Sequence, residues 1–285
     1  MTAATKVRAE LVLISVILAR IRRGTHIMGR ISFLMLGFLT LFMPPLTSAA
    51  QNSSCTLEAN LYENRKPPAG GHAAEGKDTK AIDKEYMDFF RALAESSLSE
   101  NKGSFDLCAE LAKNDPIAAR VVTFVRYLRE GRRNSDEFIS SFPTTEAQLT
   151  DFWSLDVIAM HSVGHGPASL PGIPLPDGIV DKLLSELFAL VLQDNPAATK
   201  KYFFIFGNSN GEYSEFMSEQ IKSLFEEHAD LVLKEWSLMR PYRKRLVSIS
   251  EDNSPEFSQK IAQTFQALCD KRNDPSCKEI LKIFR

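Results

Sequence analysis

Residues 114–128, NDPIAARVVTFVRYL, give the clearest indication of the fold class. One helical face of this stretch carries the apolar side chains Ile117, Val121, Phe124, Val125 and Leu128. Asp115 supplies an N-cap acceptor, and Pro116 suits the first helical position because it lacks the N–H that would have no partner there. Gly131 suits the C-terminal end, where a left-handed backbone is common. The stretch therefore predicts an amphipathic helix whose start and end are both encoded locally.

Helical periodicity extends over most of the chain on both sides of this stretch. Upstream, one helical face carries the apolar side chains Ile82, Tyr86, Phe89, Phe90 and Leu93. Downstream, Thr145 and Gln148 form a capping-box pattern before an apolar run that ends at Met160. Further helices are predicted over residues 179–193, 196–206, 212–226, 228–239, 255–269 and 276–284. The only candidate strands are short, at 201–206 and 245–250, so we expect an all-α fold of antiparallel helix pairs.

An Asx-Pro junction occurs three times, each time between two apolar periodic segments. The junctions are Asn114-Asp115-Pro116, Asp194-Asn195-Pro196 and Asn273-Asp274-Pro275, with prolines 80 and 79 residues apart. One interpretation is a short divergent helical repeat, in which helix pairs stack into a solenoid-like array. In architecture alone such pairs resemble HEAT-like and TPR-like arrays, although none of the signature residues of those repeats occurs in order. The other interpretation is chance, because Asx-Pro is a common helix start.

The N-terminal region carries the features of a secretory signal peptide. Residues 28–50 combine a basic start, thirteen mostly apolar residues, and small residues at Ser48 and Ala50. Thirteen residues are too few for a membrane-spanning helix, which needs about twenty. We therefore expect export to the periplasm or the cell exterior after cleavage near Ala50, with no stable transmembrane segment left. Residues 1–27 contain a shorter apolar stretch, 11–19, and have three interpretations: a long n-region, a weak second hydrophobic segment, or a dispensable, over-extended start with Met28 as the true initiator. We prefer the last, because the segment from Met28 is complete alone.

Removal of the first fifty residues makes the chain acidic. The full chain has 34 Lys and Arg against 36 Asp and Glu. Residues 1–50 contain six of the bases and one of the acids, so residues 51–285 carry 28 bases, 35 acids and a net charge of −7. Nucleic-acid binding requires a basic surface. The charge balance therefore argues against a nucleic-acid partner.

All four cysteines follow the predicted cleavage site, at Cys55, Cys108, Cys269 and Cys277. An even number of cysteines in an oxidising compartment predicts two disulfides, for which three connectivities exist. Cys269 and Cys277 bracket a polar turn between two apolar periodic segments, so we expect them to join adjacent helices. That pairing leaves Cys55 for Cys108. Free buried thiols are the alternative, because cysteine is also a common core residue.

Composition divides the mature chain into four parts. Residues 51–79 form a flexible polar leader that has too little apolar surface to fold alone. Residues 164–178 contain four glycines and four prolines in fifteen positions, which predicts a long loop. This loop is the candidate boundary between an N-terminal helical half, 80–163, and a C-terminal helical half, 179–285.

Two histidines, His161 and His165, have the i, i+4 spacing that on a helix directs both imidazoles at one metal ion. Asp156 precedes them as a candidate carboxylate ligand. Gly164 and Gly166 indicate that the helix ends there. The competing interpretation is therefore a helix end at which His161 packs and His165 caps, and no other cofactor is expected.

The segment Gly207-Asn208-Ser209-Asn210-Gly211 matches the G-x-S-x-G nucleophile elbow of serine hydrolases. The elbow requires a strand before the serine, a helix after it, and a histidine base. His228 is the only histidine after Ser209, and no acid lies between them at the spacing that such triads use. A turn between two helices, which Asn-Gly favours, is the competing interpretation.

The expected function is a non-catalytic protein- or peptide-binding module. A concave face of successive helices would carry recognition, with the 164–178 loop at its rim. The alternatives are a serine hydrolase that uses Ser209 with His228, and a metal-dependent protein that uses His161 with His165. The sequence leaves the identity of the partner and the oligomeric state open.

Overall fold

The structure, a computed structural model, describes residues 55–59, 61–65, 79–98, 102–161, 169–170, 173–174, 179–251, 253–272 and 274–284. For residues 98, 102, 159–161, 169–170 and 173–174 it describes the backbone alone. The predicted N-terminal extension, the signal peptide, most of the 51–79 leader and most of the 164–178 loop lie outside the described residues. Contacts divide the chain into two units, and everything described below belongs to the second, Asn52–Arg285.

Helices dominate the described residues, and the fold is all-α as predicted. The helices are α1 (Leu61–Arg65), α2 (Thr79–Leu98), α3 (Lys102–Ala112), α4 (Pro116–Arg129), α5 (Ser135–Ser140), α6 (Glu146–His161), α7 (Ile179–Leu192), α8 (Pro196–Asn208), α9 (Gly211–Glu227), α10 (Ala229–Met239), α11 (Arg243–Glu251), α12 (Pro255–Cys269) and α13 (Ser276–Leu281). A 3₁₀ turn, Arg240–Tyr242, links α10 to α11. Two short strands, β1 (Ser169–Leu170) and β2 (Ile173–Pro174), pair antiparallel. None of the helices in this part of the chain is long and apolar enough to cross a membrane.

Both candidate strands were wrong, because each forms part of a helix. Residues 201–206 lie in α8. The side chains that α8 buries there are Tyr202, Phe203, Ile205 and Phe206. A helix that is buried around most of its circumference gives a continuous apolar run, which resembles a strand in sequence. Residues 245–250 lie in α11, where Leu246 and Ile249 are buried at a helical spacing of three.

Helix α4 begins and ends as predicted. The Asp115 carboxylate accepts hydrogen bonds from the backbone N–H groups of Ile117 at 3.0 Å and Ala118 at 2.9 Å. The second oxygen of this carboxylate accepts a hydrogen bond from the buried Tyr86 hydroxyl at 2.6 Å. At the other end, Gly131 has a left-handed φ of 64°. Local residues therefore set both ends of this helix, as the sequence indicated.

The junction between α7 and α8 repeats the cap that begins α4. The Asn195 side-chain oxygen accepts hydrogen bonds from the backbone N–H groups of Ala197 and Ala198, both at 3.1 Å. Pro196 is again the first helical residue. The preceding Asp194 has a left-handed φ of 64°. The first two Asx-Pro junctions thus share their capping geometry, while a repeated architecture stays a prediction.

The helices pack against neighbours that are both near and distant in sequence. Helix α2 packs on α3, α4 and α6, α7 packs on α8, and α10 packs on both α8 and α9. Helices on the two sides of the 164–178 loop are also in contact. Helix α6 packs on α7, and Arg132 forms an ion pair with Glu186 at 2.6 Å. The buried apolar side chains of both helical halves accordingly form one core.

Both predicted disulfides are confirmed. Cys55–Cys108 attaches residues 55–59 to α3, with Cα atoms 5.3 Å apart. Cys269–Cys277 joins the end of α12 to α13, with Cα atoms 5.7 Å apart. The second disulfide therefore closes the turn that contains the third Asx-Pro junction.

Candidate functional site

Ser209, the candidate nucleophile, is a buried helix cap. It follows α8 instead of a strand, and its hydroxyl donates a hydrogen bond to the Phe206 carbonyl oxygen at 2.9 Å. Only 1% of the residue is exposed to solvent. A nucleophile elbow displays its serine on an exposed turn that follows a strand. Neither condition holds at Ser209.

The two glycines of the same segment are explained by packing and backbone geometry. A side chain at Gly207 would place its Cβ 2.2 Å from Cδ1 of Tyr242. Gly211 begins α9 with a φ of 56°, a left-handed conformation that glycine adopts readily. The guanidinium of Arg245 donates a hydrogen bond to the Ser209 carbonyl oxygen. The segment is therefore a tightly packed link between two helices.

His228, the candidate base, lies at the opposite end of α9 from Ser209. The helix has 17 residues, and at roughly 1.5 Å per residue it separates the two by about 25 Å. The structure therefore does not bring Ser209 and His228 together. His228 instead forms the junction of α9 and α10, where its backbone N–H donates a hydrogen bond to the Leu224 carbonyl oxygen at 3.0 Å. It also lines a surface groove.

The two candidate metal-binding histidines lie at, or shortly after, the last described residue of α6. His161 is the last residue of α6, described by its backbone alone, and His165 lies outside the described residues. Asp156, the candidate carboxylate ligand, accepts a hydrogen bond from the Tyr213 hydroxyl. Among the side chains that are described, no three His, Cys, Asp or Glu converge on a site for a metal ion. The histidine metal site stays a prediction.

An aromatic and acidic cluster surrounds Asp156. The Tyr213 ring stacks on the Trp153 ring, with centroids 4.4 Å apart and planes 16° apart. Burial, and then the negative charges of Asp156 and Glu212, raise the pKa of Asp181. Like charges oppose one another's ionisation, so Asp181 binds a proton more readily than an isolated aspartate does. The cluster connects α6, α7 and α9.

A surface groove, which we name the His228 groove, opens where the ends of α7, α9 and α10 meet the turn after α12. Its volume is about 520 Å³. Its lining residues are Leu192, Asp194, Glu227, His228, Asp230, Leu231, Lys234 and Arg272. Three carboxylates, two basic side chains and two leucines thus share one surface.

Two ion pairs connect the elements around the His228 groove. Lys234 on α10 pairs with Asp194 at the end of α7, and Arg272 pairs with Asp230 at 2.7 Å. The exposed fractions of these four side chains lie between 45% and 65%. Exposed ion pairs contribute roughly 0–1 kcal/mol, because water and salt screen them. A charged ligand can therefore replace either pair with little loss of stability.

A second groove, which we name the disulfide groove, adjoins the turn closed by Cys269–Cys277. Its volume is about 420 Å³. Its lining residues are Gln266, Cys269, Asp270, Arg272, Asp274, Cys277, Lys278, Leu281 and Lys282. Because Arg272 lines both grooves, the disulfide-closed turn connects them.

Two cations inside the protein, Arg120 and Lys201, were not among the predicted site residues. Arg120 is 7% exposed, and its Nε donates a hydrogen bond to the Ser141 carbonyl oxygen at 3.0 Å. The half-buried Lys201 ammonium donates to the adjacent carbonyl oxygen of Phe142. Burial lowers the pKa of Arg120 to about 10, although the charge of Asp151 opposes this shift. Both cations lie at the carbonyl end of α5, where positive charge is favourable.

The sequence does contain a signal for the burial of Arg120. This residue lies three positions after Ile117 and four before Phe124, on the apolar face of the predicted helix. Its Nη1 has no hydrogen-bond partner within the described residues, and its guanidinium carbon lies 5.5 Å from the centre of the Phe152 ring. A charged residue on an apolar face thus indicated a cation held within the core.

Comparison with known proteins gives no assignment for this chain. No family model, curated protein or solved structure matches it.

Proposed function

We propose that this chain is a non-catalytic module that binds a protein or peptide through the His228 groove. The observation that carries the proposal is the composition of the groove. It combines opposite charges, held in two exposed ion pairs, with the apolar side chains of Leu192 and Leu231. Protein interfaces have the same composition, in which polar groups surround an apolar centre.

The size of the His228 groove suits a short segment of a partner. Ligand sites occupy roughly 300–1,000 Å³, and the groove volume of about 520 Å³ falls within this range. Such a volume accepts a few side chains but not a folded domain. The expected ligand is therefore a peptide or a single exposed segment of a protein.

Exchange of ion pairs supports selective binding in the His228 groove. A basic side chain of the partner takes the place of Lys234 beside Asp194. Each exposed pair that is broken loses roughly 0–1 kcal/mol, and the new pair with the partner replaces it. Charge complementarity of this kind contributes to specificity and association rate more than to affinity.

The proposed place of action is outside the cytoplasm. The disulfides Cys55–Cys108 and Cys269–Cys277 suit an oxidising compartment, such as the periplasm or the cell exterior. Cleavage near Ala50 would leave both disulfides and the whole His228 groove in the mature chain.

Selection from a random peptide library tests the proposed function. The oxidised protein is immobilised, and the affinities of enriched peptides are then measured for two charge-reversal variants. Lys234→Glu breaks the pair with Asp194, and Lys113→Glu is the matched control because it breaks a similarly exposed pair with Glu110 on α3. We expect about fivefold tighter binding of basic peptides by Lys234→Glu, because the substitution removes a competing cation and adds a negative charge, and unchanged binding by the control.

Two outcomes of this experiment would contradict the proposal. One is selection that enriches no common sequence, and the other is equal affinity of both variants for the enriched peptides. Circular dichroism spectra of the two variants verify that each keeps its helical fold.

A further inference from the structure

We infer that the partner segment carries separated charges, with a basic part in the His228 groove and an acidic part in the disulfide groove. This inference rests on the proposed function, since it defines the chemistry of a ligand for the same surface. The two grooves adjoin at Arg272, which lines both of them. A single extended segment can therefore occupy both grooves.

The His228 groove has a surplus of negative charge. Arg272, which lines both grooves, is counted with the disulfide groove, so the three carboxylates of the His228 groove exceed its one other basic side chain, Lys234. Two of these carboxylates, Asp194 and Asp230, are engaged in ion pairs. The third, Glu227, is exposed at the end of α9 and forms no ion pair within the described part of the chain. Glu227 is therefore available for a basic side chain of the partner.

The disulfide groove has the opposite surplus. With Arg272 counted here, its three basic side chains exceed its two carboxylates, Asp270 and Asp274. These carboxylates accept hydrogen bonds from a glutamine side chain and a backbone N–H at 2.7 and 2.8 Å. Lys278 and Lys282 are exposed, and neither forms an ion pair with another described residue. Their spacing of four places them on the same side of the chain as it leaves α13. They are therefore available for acidic side chains.

Arg272 separates the two charge surpluses at a defined position. Its backbone N–H approaches the carbonyl oxygens of Leu268 at 3.1 Å and Cys269 at 3.2 Å, within the turn that the disulfide closes. Its guanidinium pairs with Asp230 across the His228 groove. A surface that is ordered before binding loses little entropy when a ligand of matching charge order binds.

The arrangement discriminates against uniformly charged ligands. A polyanion gains contacts with Lys278 and Lys282 but is repelled by Glu227. A polycation is attracted by Glu227 but repelled by the two lysines. A ligand with separated charges gains favourable contacts in both grooves, so the order of its charges, and not its net charge, determines the affinity.

Two peptides of identical composition test the inference. One has a block of lysines, a serine spacer and a block of glutamates, and the other has the same residues with the two charges alternating. Fluorescence anisotropy with the full oxidised protein at low salt measures both affinities. We expect the block peptide to bind about fivefold more tightly.

Charge reversals then locate the binding of the block peptide. Glu227→Lys and the double variant Lys278→Glu/Lys282→Glu should each remove the preference for the block peptide, whereas Lys113→Glu should keep it. All of these side chains are exposed, so folding is not expected to change.

Equal affinity for the two peptides would overturn the inference, and so would a preference that persists in either groove variant. The proposed function fails by a different result, a library selection that yields no peptide dependent on Lys234. Selected peptides that depend on Lys234 but not on Lys278 or Lys282 would keep the proposed function and overturn the inference.

Discussion

The tripeptide Asn-Asp-Pro occurs at residues 114–116 and again at 273–275, and the two copies have different roles. At the first, Asp115 is 6% exposed, and its carboxylate accepts hydrogen bonds from two backbone N–H groups and the Tyr86 hydroxyl. At the second, the Asp274 carboxylate accepts one hydrogen bond among the described residues, from the Ser276 N–H, and lines the disulfide groove. The same residues thus stabilise the core at one junction and line a surface groove at the other.

The surroundings of each turn explain this difference. The first turn lies against α2, which contributes the fully buried Tyr86. The second turn is closed by Cys269–Cys277, and the residues on both sides of Asp274, 270–272 and Pro275, are exposed. A lost hydrogen bond destabilises a protein most where water cannot replace it. We therefore expect substitutions at the first junction to have the larger effect on stability.

Asp115→Ala should have the largest effect. We expect the free energy of unfolding to fall by about 3 kcal/mol, because the variant loses a helix cap and leaves the buried Tyr86 hydroxyl without its acceptor. Urea unfolding followed by circular dichroism measures this change. Adding Tyr86→Phe to the variant should recover part of the loss, since it removes the unpaired hydroxyl. A loss below about 1 kcal/mol would contradict the importance of the buried cap.

Removal of the second disulfide, by Cys269→Ala with Cys277→Ala, should have the next largest effect. The cysteines are eight residues apart, and loss of such a link is expected to lower the free energy of unfolding by about 2 kcal/mol. The variant should also lose its preference for the block peptide, because Arg272 is then less constrained. Asp115→Ala, measured where it is folded, should keep that preference. Unchanged peptide binding by the cysteine variant would show that the disulfide is not required for peptide recognition.

Asn195→Ala tests the junction between α7 and α8, whose capping side chain is less buried than Asp115. Asn195 makes the same two capping hydrogen bonds as Asp115 but is half-buried, and we expect a loss of about 1 kcal/mol on urea unfolding. Asn195→Asp should be close to neutral because it keeps the cap. Equal destabilisation by Asn195→Ala and Asp115→Ala would show that the hydrogen bond between Tyr86 and Asp115 adds nothing to the stability of the first junction.

Asp274→Ala should have the smallest effect on stability, below about 0.5 kcal/mol, since it removes one hydrogen bond at the surface. The affinity for the acidic part of the block peptide should rise, because the substitution removes a carboxylate from the disulfide groove. Urea unfolding and fluorescence anisotropy measure the two effects. Destabilisation comparable to that of Asp115→Ala would show that the junctions are equivalent after all.

The helices with strong end signals were the most predictable part of the fold. Helix α12 was predicted over 255–269 and spans Pro255–Cys269, with Ser254 as its cap. Helix α5 has six residues and no side-chain cap, and it was not predicted. The aromatic run at 201–206 was predicted both as the end of a helix over 196–206 and as a candidate strand, because the sequence does not show how much of the circumference of α8 is buried. Local signals therefore located helix ends better than they described burial.

The candidate site was much less predictable than the fold. The His228 groove combines residues that lie as far apart in sequence as Leu192 and Arg272, and no short motif unites them. Glu227 directly follows Glu226, a pattern typical of a solvated helix face, whereas its position at the end of α9 makes it part of a groove. The G-x-S-x-G match pointed to Ser209, but the hydroxyl of this serine is used to cap α8.

By itself, the sequence determined the helical class, helix ends such as those at Asp115 and Gly131, and the pairing of Cys269 with Cys277. These features depend on residues that are close together in the chain, so local spacing and hydrogen-bonding capacity are sufficient to specify them. Only the tertiary structure decided that Ser209 is buried far from His228, and that negative and positive surpluses line adjoining grooves. Burial and the proximity of charges depend on how helices distant in sequence pack, and that packing is not encoded in any single stretch of the chain.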